Sequence, residues 1–149
     1  MGIREIIESS APRSVILIRL VVGAVFLSEG IQKFLYSADL GVGRFVKIGI
    51  PFPQVMAPFV GVTEIVCGTL ILVGLLTRLA AIPLITDMLV AISWTKIPIL
   101  LNSGFWAMAH ESRTDFAMLL GSIFLLITGA GLWSIDARLF DHNRRGAKI

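Results

Sequence analysis

Glu29 and Lys33 stand four residues apart in the stretch FLSEGIQKFLY, an acid and a base inside the apolar run of residues 14–36. That spacing puts both on one face of a helix, where a carboxylate and an ammonium can pair. Glu64, within GVTEIVCG, and Asp87, four residues after Pro83, are further acids in later apolar runs. Arg19 shares an arc of about 120° with Gly23, Phe26, Glu29, Gly30 and Lys33 on the first helix. Each such charge costs about 2.5–3.5 kcal/mol at the centre of a bilayer. These side chains are therefore expected to face one another, with Lys33 serving both Glu29 and Glu64. Their simplest role is a seam that fixes helix pairing. Their chemical role would be proton uptake and release by a buried carboxylate, as a quinone headgroup or a proton-coupled carrier requires.

The elements that must position them are apolar spans. The chain has 149 residues, 56% hydrophobic and 15% charged, against about 25% charged in a soluble domain. Its mean hydropathy is +0.87. Four runs are of membrane-crossing length, at residues 14–36, 53–76, 79–100 and 116–135, and each needs about 20 residues. Backbone groups in lipid must be satisfied within a segment, so the runs read as helices. The expected fold is all-α, a four-transmembrane-helix bundle over residues 14–136. A segment 1–13 precedes it and a basic tail, 137–149, follows it. Ser10 is placed to cap the first helix. Pro83 and Pro98 are expected to bend or end the third. Gly23 and Gly30, with Ala57, Gly61 and Gly68 beside Glu64, allow close approach of the first two spans.

Orientation follows from the basic residues. With four spans, Arg4, Arg13, Arg78, Arg138, Arg144, Arg145 and Lys148 share one side; Arg44, Lys47, Lys96 and Arg113 share the other. This predicts both termini in the cytoplasm. Arg19 lies near the inner surface, where it can snorkel, level with Asp136; Arg78 and Asp136 are candidates for inner-surface ion pairs. The net charge of +3 is local and gives no nucleic-acid signal. Cys67 is the single cysteine, which excludes an intramolecular disulfide and reads as a packing residue. The start lacks the pattern of a cleaved secretory signal. With His110 and His142 at opposite ends and no Cys/His cluster, the sequence offers neither a haem nor a zinc site.

Taken in order, RLVVGAVFLSEGIQKF, GIPFP, EIVCGTLILVGLLTRLAA, NSGFW and GAGLWSID resemble the DoxX family of bacterial four-helix membrane proteins. The likeness covers about residues 15–140. Arg19, Gly23, Gly30, Lys33, Glu64 and Arg78 fit the family's pattern, and Asp115 fits its acid ahead of the fourth helix. Cys67 stands where glycine is common and Ala130 where proline is common. The resemblance implies a multi-pass protein of the bacterial inner (plasma) membrane tied to redox metabolism, either quinone-linked or thiol- and sulfur-handling.

Three functions follow. A quinone-linked oxidoreductase subunit would need a lipid-accessible pocket near the outer surface, for which Asn102, Trp106, His110 and Asp115 are candidates beside Glu29, Lys33 and Glu64. Its cofactor would be a quinone held without a covalent bond. A non-enzymatic adaptor would anchor a soluble redox partner protein through the surface around Arg78 and the basic tail. A small proton-coupled carrier would use Glu29 or Glu64 and work as a homo-oligomer.

Overall fold

The computed structural model describes residues 12–139. Its elements are α1 (Val15–Leu35), α2 (Val42–Lys47), α3 (Pro53–Val73), α4 (Thr77–Ala91), a π-helical stretch (Ile92–Lys96), α5 (Ile97–Ser103), α6 (Phe105–Glu111) and α7 (Arg113–Thr128). All the regular structure among the described residues is helical. α4, the π stretch and α5 form one continuous helix, Thr77–Ser103. Ser10 lies outside the described residues.

Three helices are long and apolar enough to cross a membrane: Val15–Leu35, Pro53–Val73 and Thr77–Ser103. Four were expected. The apolar run 116–135 does not form one 20-residue helix. α7 instead starts at Arg113 and spans 16 residues. It stops because Gly129 and Gly131 adopt φ of +77° and +75°, a region open to glycine and closed to helix propagation. The remaining apolar residues form a connection rather than a further turn and a half of helix. Pro83 also behaves differently from expectation. It sits inside α4 without ending it, and the departure from α-geometry comes at residues 92–96, just ahead of Pro98.

α1 packs along α3 and α4 along α7; α3–α4 contacts join the two pairs, with a lighter contact between α1 and α7. The α1–α3 contact is close because glycines meet there. A Cβ on Gly30 would lie 2.7 Å from the Gly61 carbonyl oxygen, and one on Gly68 would lie 2.7 Å from the Leu27 nitrogen. Val22, Phe26, Ile71, Leu84 and Leu125 form the interior. Arg19, Glu64 and Asp136 are buried among them, while Leu17, Phe59, Leu120 and Ile127 are more than 60% exposed. A polar interior inside an apolar outer surface is the distribution a lipid solvent imposes.

Candidate functional site

Near one end of the bundle, α1, α3, α4 and the start of α7 enclose a cavity of about 660 Å³. Its apolar walls include Phe26, Phe45, Met88 and Met118. Glu64 enters from α3 and is 2% exposed. Its Oε2 lies 2.6 Å from Lys33 Nζ, on α1. Asp87, from α4, lines the same cavity. An ammonium from α1 thus meets a buried acid of α3, with a further acid of α4 at the same cavity.

A second pair closes the cavity on its other side. Lys96 Nζ lies 3.0 Å from Asp115 Oδ2. Lys96 belongs to the π stretch, which also brings Trp94 and Thr95 to the cavity lining. Pro98 accounts for the local geometry: it has no N–H to give the Trp94 carbonyl, and its ring crowds that carbonyl. A π turn relieves such a conflict and re-aims the side chains of the turn. Trp94 Nε1–H donates to the Ile48 carbonyl at 2.8 Å. That bond ties the π stretch to the α2 connection, whose Leu40, Arg44 and Phe45 form part of the cavity roof.

The structure gathers Lys33, Glu64, Asp87 and Asp115 at the cavity and places Glu29 at its exposed margin. Glu29 makes no ion pair among the described residues; Lys33 turns to the acid of the neighbouring helix instead of the one on its own. Asn102, Trp106 and His110 are exposed and do not line the cavity. Sequence reading missed Lys96, Trp94 and Glu111. Lys96 had been counted with the outer loop charges, and Pro98 two residues on was the available sign of an altered turn.

Arg19 is not part of this cavity, nor does it snorkel. It is 2% exposed, and its guanidinium donates to the carbonyls of Ile71, Leu72, Ala130 and Trp133 at 2.6–3.2 Å. These carbonyls lie at the end of α3, where that of Ile71 also accepts from Gly74 N–H, and in the connection after α7, and a planar fork of donors suits them. Asp136 works beside it. Its Oδ1 accepts from Leu76 N–H at 2.8 Å and its Oδ2 from Thr77 N–H at 3.2 Å, capping α4, while its own N–H donates to the Gly74 carbonyl. Burial pushes the Asp136 carboxyl above its ordinary pKa, and the two backbone N–H groups, Arg19 and Arg78 pull it back. Arg78 donates to the Ile127 carbonyl at 3.1 Å. Arg19, Arg78 and Asp136 thus stitch the α3–α4 turn to the end of α7, a positioning role far from the cavity.

An all-helical protein with an apolar exterior and buried ion pairs is a membrane protein, and the comparisons say of which kind. The DoxX family model matches residues 14–97. The chain belongs to the DoxX family. It is 57% identical to an uncharacterized membrane protein of Mycobacterium tuberculosis, over 91% of this chain and 86% of that one. It is 28% identical to the Bacillus subtilis protein named "Putative oxidoreductase CatD", over 88% and 90% of the two chains. An uncharacterized protein of Haemophilus influenzae is 29% identical over 90% and 96%. No solved structure matches the chain significantly.

Proposed function

We propose that this DoxX-family protein is a multi-pass protein of the bacterial inner membrane in which the Lys33–Glu64–Asp87 cluster exchanges a proton with a quinone headgroup, in a redox system completed by a soluble partner. The observation that carries the reading is one buried carboxylate paired with an ammonium, with a second carboxyl lining the same ligand-sized cavity. The lining fits a quinone. About 660 Å³ lies within the range of small-molecule sites. Phe26, Phe45, Met88 and Met118 offer apolar faces to a ring, and Lys33 offers a donor to a carbonyl. A bound quinone would supply the electron-accepting centre. The chain's own part is to hold the headgroup, exclude bulk water and deliver or accept a proton at Glu64 or Asp87. The likeness to a relative named as an oxidoreductase supports the redox setting.

The reading includes four crossings with both termini in the cytoplasm. Arg13, at the entry to α1, stands 5.6 Å from the centroid of the Trp133 ring, beyond the end of α7. The described chain therefore begins and ends at the same end of the bundle, as an even number of crossings requires. A photoreactive short-chain quinone tests the site. Labelling should map to peptides containing Phe45 or Met88 and should fall about tenfold in Lys33→Met, the loss expected of one charge-assisted hydrogen bond. Labelling confined to the outer helical surface, unchanged in that variant, would reject the quinone site.

A carrier reading has one observation in its favour. Five acids line the cavity (Glu29, Glu64, Asp87, Glu111 and Asp115) against three bases (Lys33, Arg44 and Lys96). Neither Glu29 nor Glu111 has an ion-pair partner among the described residues, a surplus that suits a cationic solute. Proton-coupled uptake of an organic cation into vesicles, lost in Glu64→Gln, would favour this alternative. The adaptor reading rests on the basic tail, which lies outside the described residues.

A further inference from the structure

At the opposite end of α3 from the cavity, a second hollow of about 370 Å³ opens between Val73 and the segment of residues 132–138. Leu132, Ile135 and Val73 give it apolar walls, and Trp133, Ser134 and Arg138 complete it. Trp133 is half exposed, with the Arg13 guanidinium over its ring. We infer that this hollow binds the phosphodiester headgroup of an anionic phospholipid, held between Arg13 and Arg138, with the first acyl methylenes against Val73, Leu132 and Ile135.

Three features select that ligand. The first is charge. Among the described residues, Arg138 lines the hollow and Arg13 stands over its Trp133, and the described stretches at this end (12–15, 72–80 and 128–139) hold a single acid, Asp136. Asp136 is 1% exposed, and both its oxygens are occupied by backbone N–H groups, so it offers the surface no anion. The second is donor availability. The Ser134 hydroxyl donates to the Gly131 carbonyl and accepts from Ala137 N–H. The Arg138 guanidinium, by contrast, has no partner among the described residues, and two arginine forks suit a phosphate. The third is continuity of the apolar walls with the lipid-facing exterior. Leu132 is about half exposed, and a tryptophan at this level is a common interfacial anchor. A free anion would gain nothing from those walls, whereas a lipid brings a chain to cover them. Basic hollows at the ends of spanning helices are suited to anionic headgroups. The inference stands apart from the quinone reading, since the two sites share no residue.

The test is native mass spectrometry of the full-length protein, delipidated and then offered phosphatidylglycerol or phosphatidylcholine in equal amounts. Phosphatidylglycerol should be retained preferentially. Arg13→Gln and Arg138→Gln should each weaken it about fivefold and the pair about 25-fold. Arg13→Lys/Arg138→Lys, which keeps both charges, should retain most of the preference and serves if the glutamine pair folds poorly. Lys47→Gln, at the other end, should change nothing, and millimolar inorganic phosphate should not displace the lipid. Unchanged retention in the glutamine pair, or a lysine pair that loses as much as the glutamine pair, overturns the proposal. So does a preference that vanishes in Arg144→Gln/Arg145→Gln with Arg13 and Arg138 intact, which would assign the lipid to the tail. Displacement by inorganic phosphate would reduce the hollow to a simple anion site and also overturn it.

Discussion

Lys33 answers to two acids, and this makes the cavity's cost asymmetric. Replacing Lys33 by Met strips the buried Glu64 of its cation, and breaking a buried pair from one side typically costs about 3–5 kcal/mol. Replacing Glu64 by Gln costs less, because Asp87 lines the same cavity and its carboxylate can take over the ammonium. Lys33→Met should therefore lower the midpoint of denaturant unfolding in detergent clearly more than Glu64→Gln. Adding Glu64→Gln and Asp87→Asn to Lys33→Met should restore most of the loss. Equal midpoints for the two single variants would mean that water, not protein, solvates these groups. Lys33, Glu64 and Asp87 were legible in the sequence as candidates, since charge in an apolar run must find a partner, whereas Arg19, expected beside them, lies elsewhere and Lys96 was missed. The pairing was not. Glu29 lies on Lys33's own helix at a favourable spacing, yet Lys33 goes to Glu64, because glycine-to-glycine contact brings α3 close enough for an interhelical bond. Arg19 was misread for a related reason. Its depth suggested snorkelling, but its partners are carbonyls that exist only once two helices have ended beside it.

Among the elements, the π stretch shows how one proline can shape a site that it does not line. An ordinary α turn over residues 92–96 would shift the helix register by one residue, turning side chains by about 100°, and Lys96 would leave Asp115. Pro98→Ala removes the obstacle to that relaxation. In the parent protein, a double-mutant cycle between Lys96→Met and Asp115→Asn should give a coupling of about 1–3 kcal/mol. In the Pro98→Ala background the coupling should fall toward zero, and Trp94 fluorescence should shift as its N–H leaves the Ile48 carbonyl. Persistent coupling in that background would show that tertiary packing, not the proline, holds the π turn. The helices themselves were readable from apolar run length, with starts and ends within about three residues for the first two. The failures came where composition stays apolar while the backbone turns. GAGLW has the hydropathy of a helix, but two glycines at positive φ make it a connection, which capping by Asp136 and Arg19 then fixes in place. Hydropathy records what a segment can dissolve in, not whether it winds.

For the whole molecule, the proposed fourth crossing asks a 16-residue helix to complete the path across a membrane. At 1.5 Å per residue α7 is about 24 Å long, short of a hydrocarbon core of about 30 Å. In the four-crossing reading the connection after it supplies the remainder. Its polar groups are met by Arg19, Arg78 and Asp136, so irregular backbone can lie at membrane depth because protein buries it. Lys96 is paired with Asp115 inside the cavity, so in the proposed orientation it does not count as a free loop charge on the outer side, which leaves Arg44, Lys47 and Arg113 there. Single cysteines introduced in a Cys67→Ala background decide the topology. Cysteines at Gly2 and Gly146 should react with a membrane-impermeant maleimide only after the cells are permeabilised, and cysteines at Asp39 and Glu111 should react in intact cells. If α7 did not return the chain, Gly2 and Gly146 would label from opposite sides. The Arg13–Trp133 contact, and the lipid site built on it, would then be lost together.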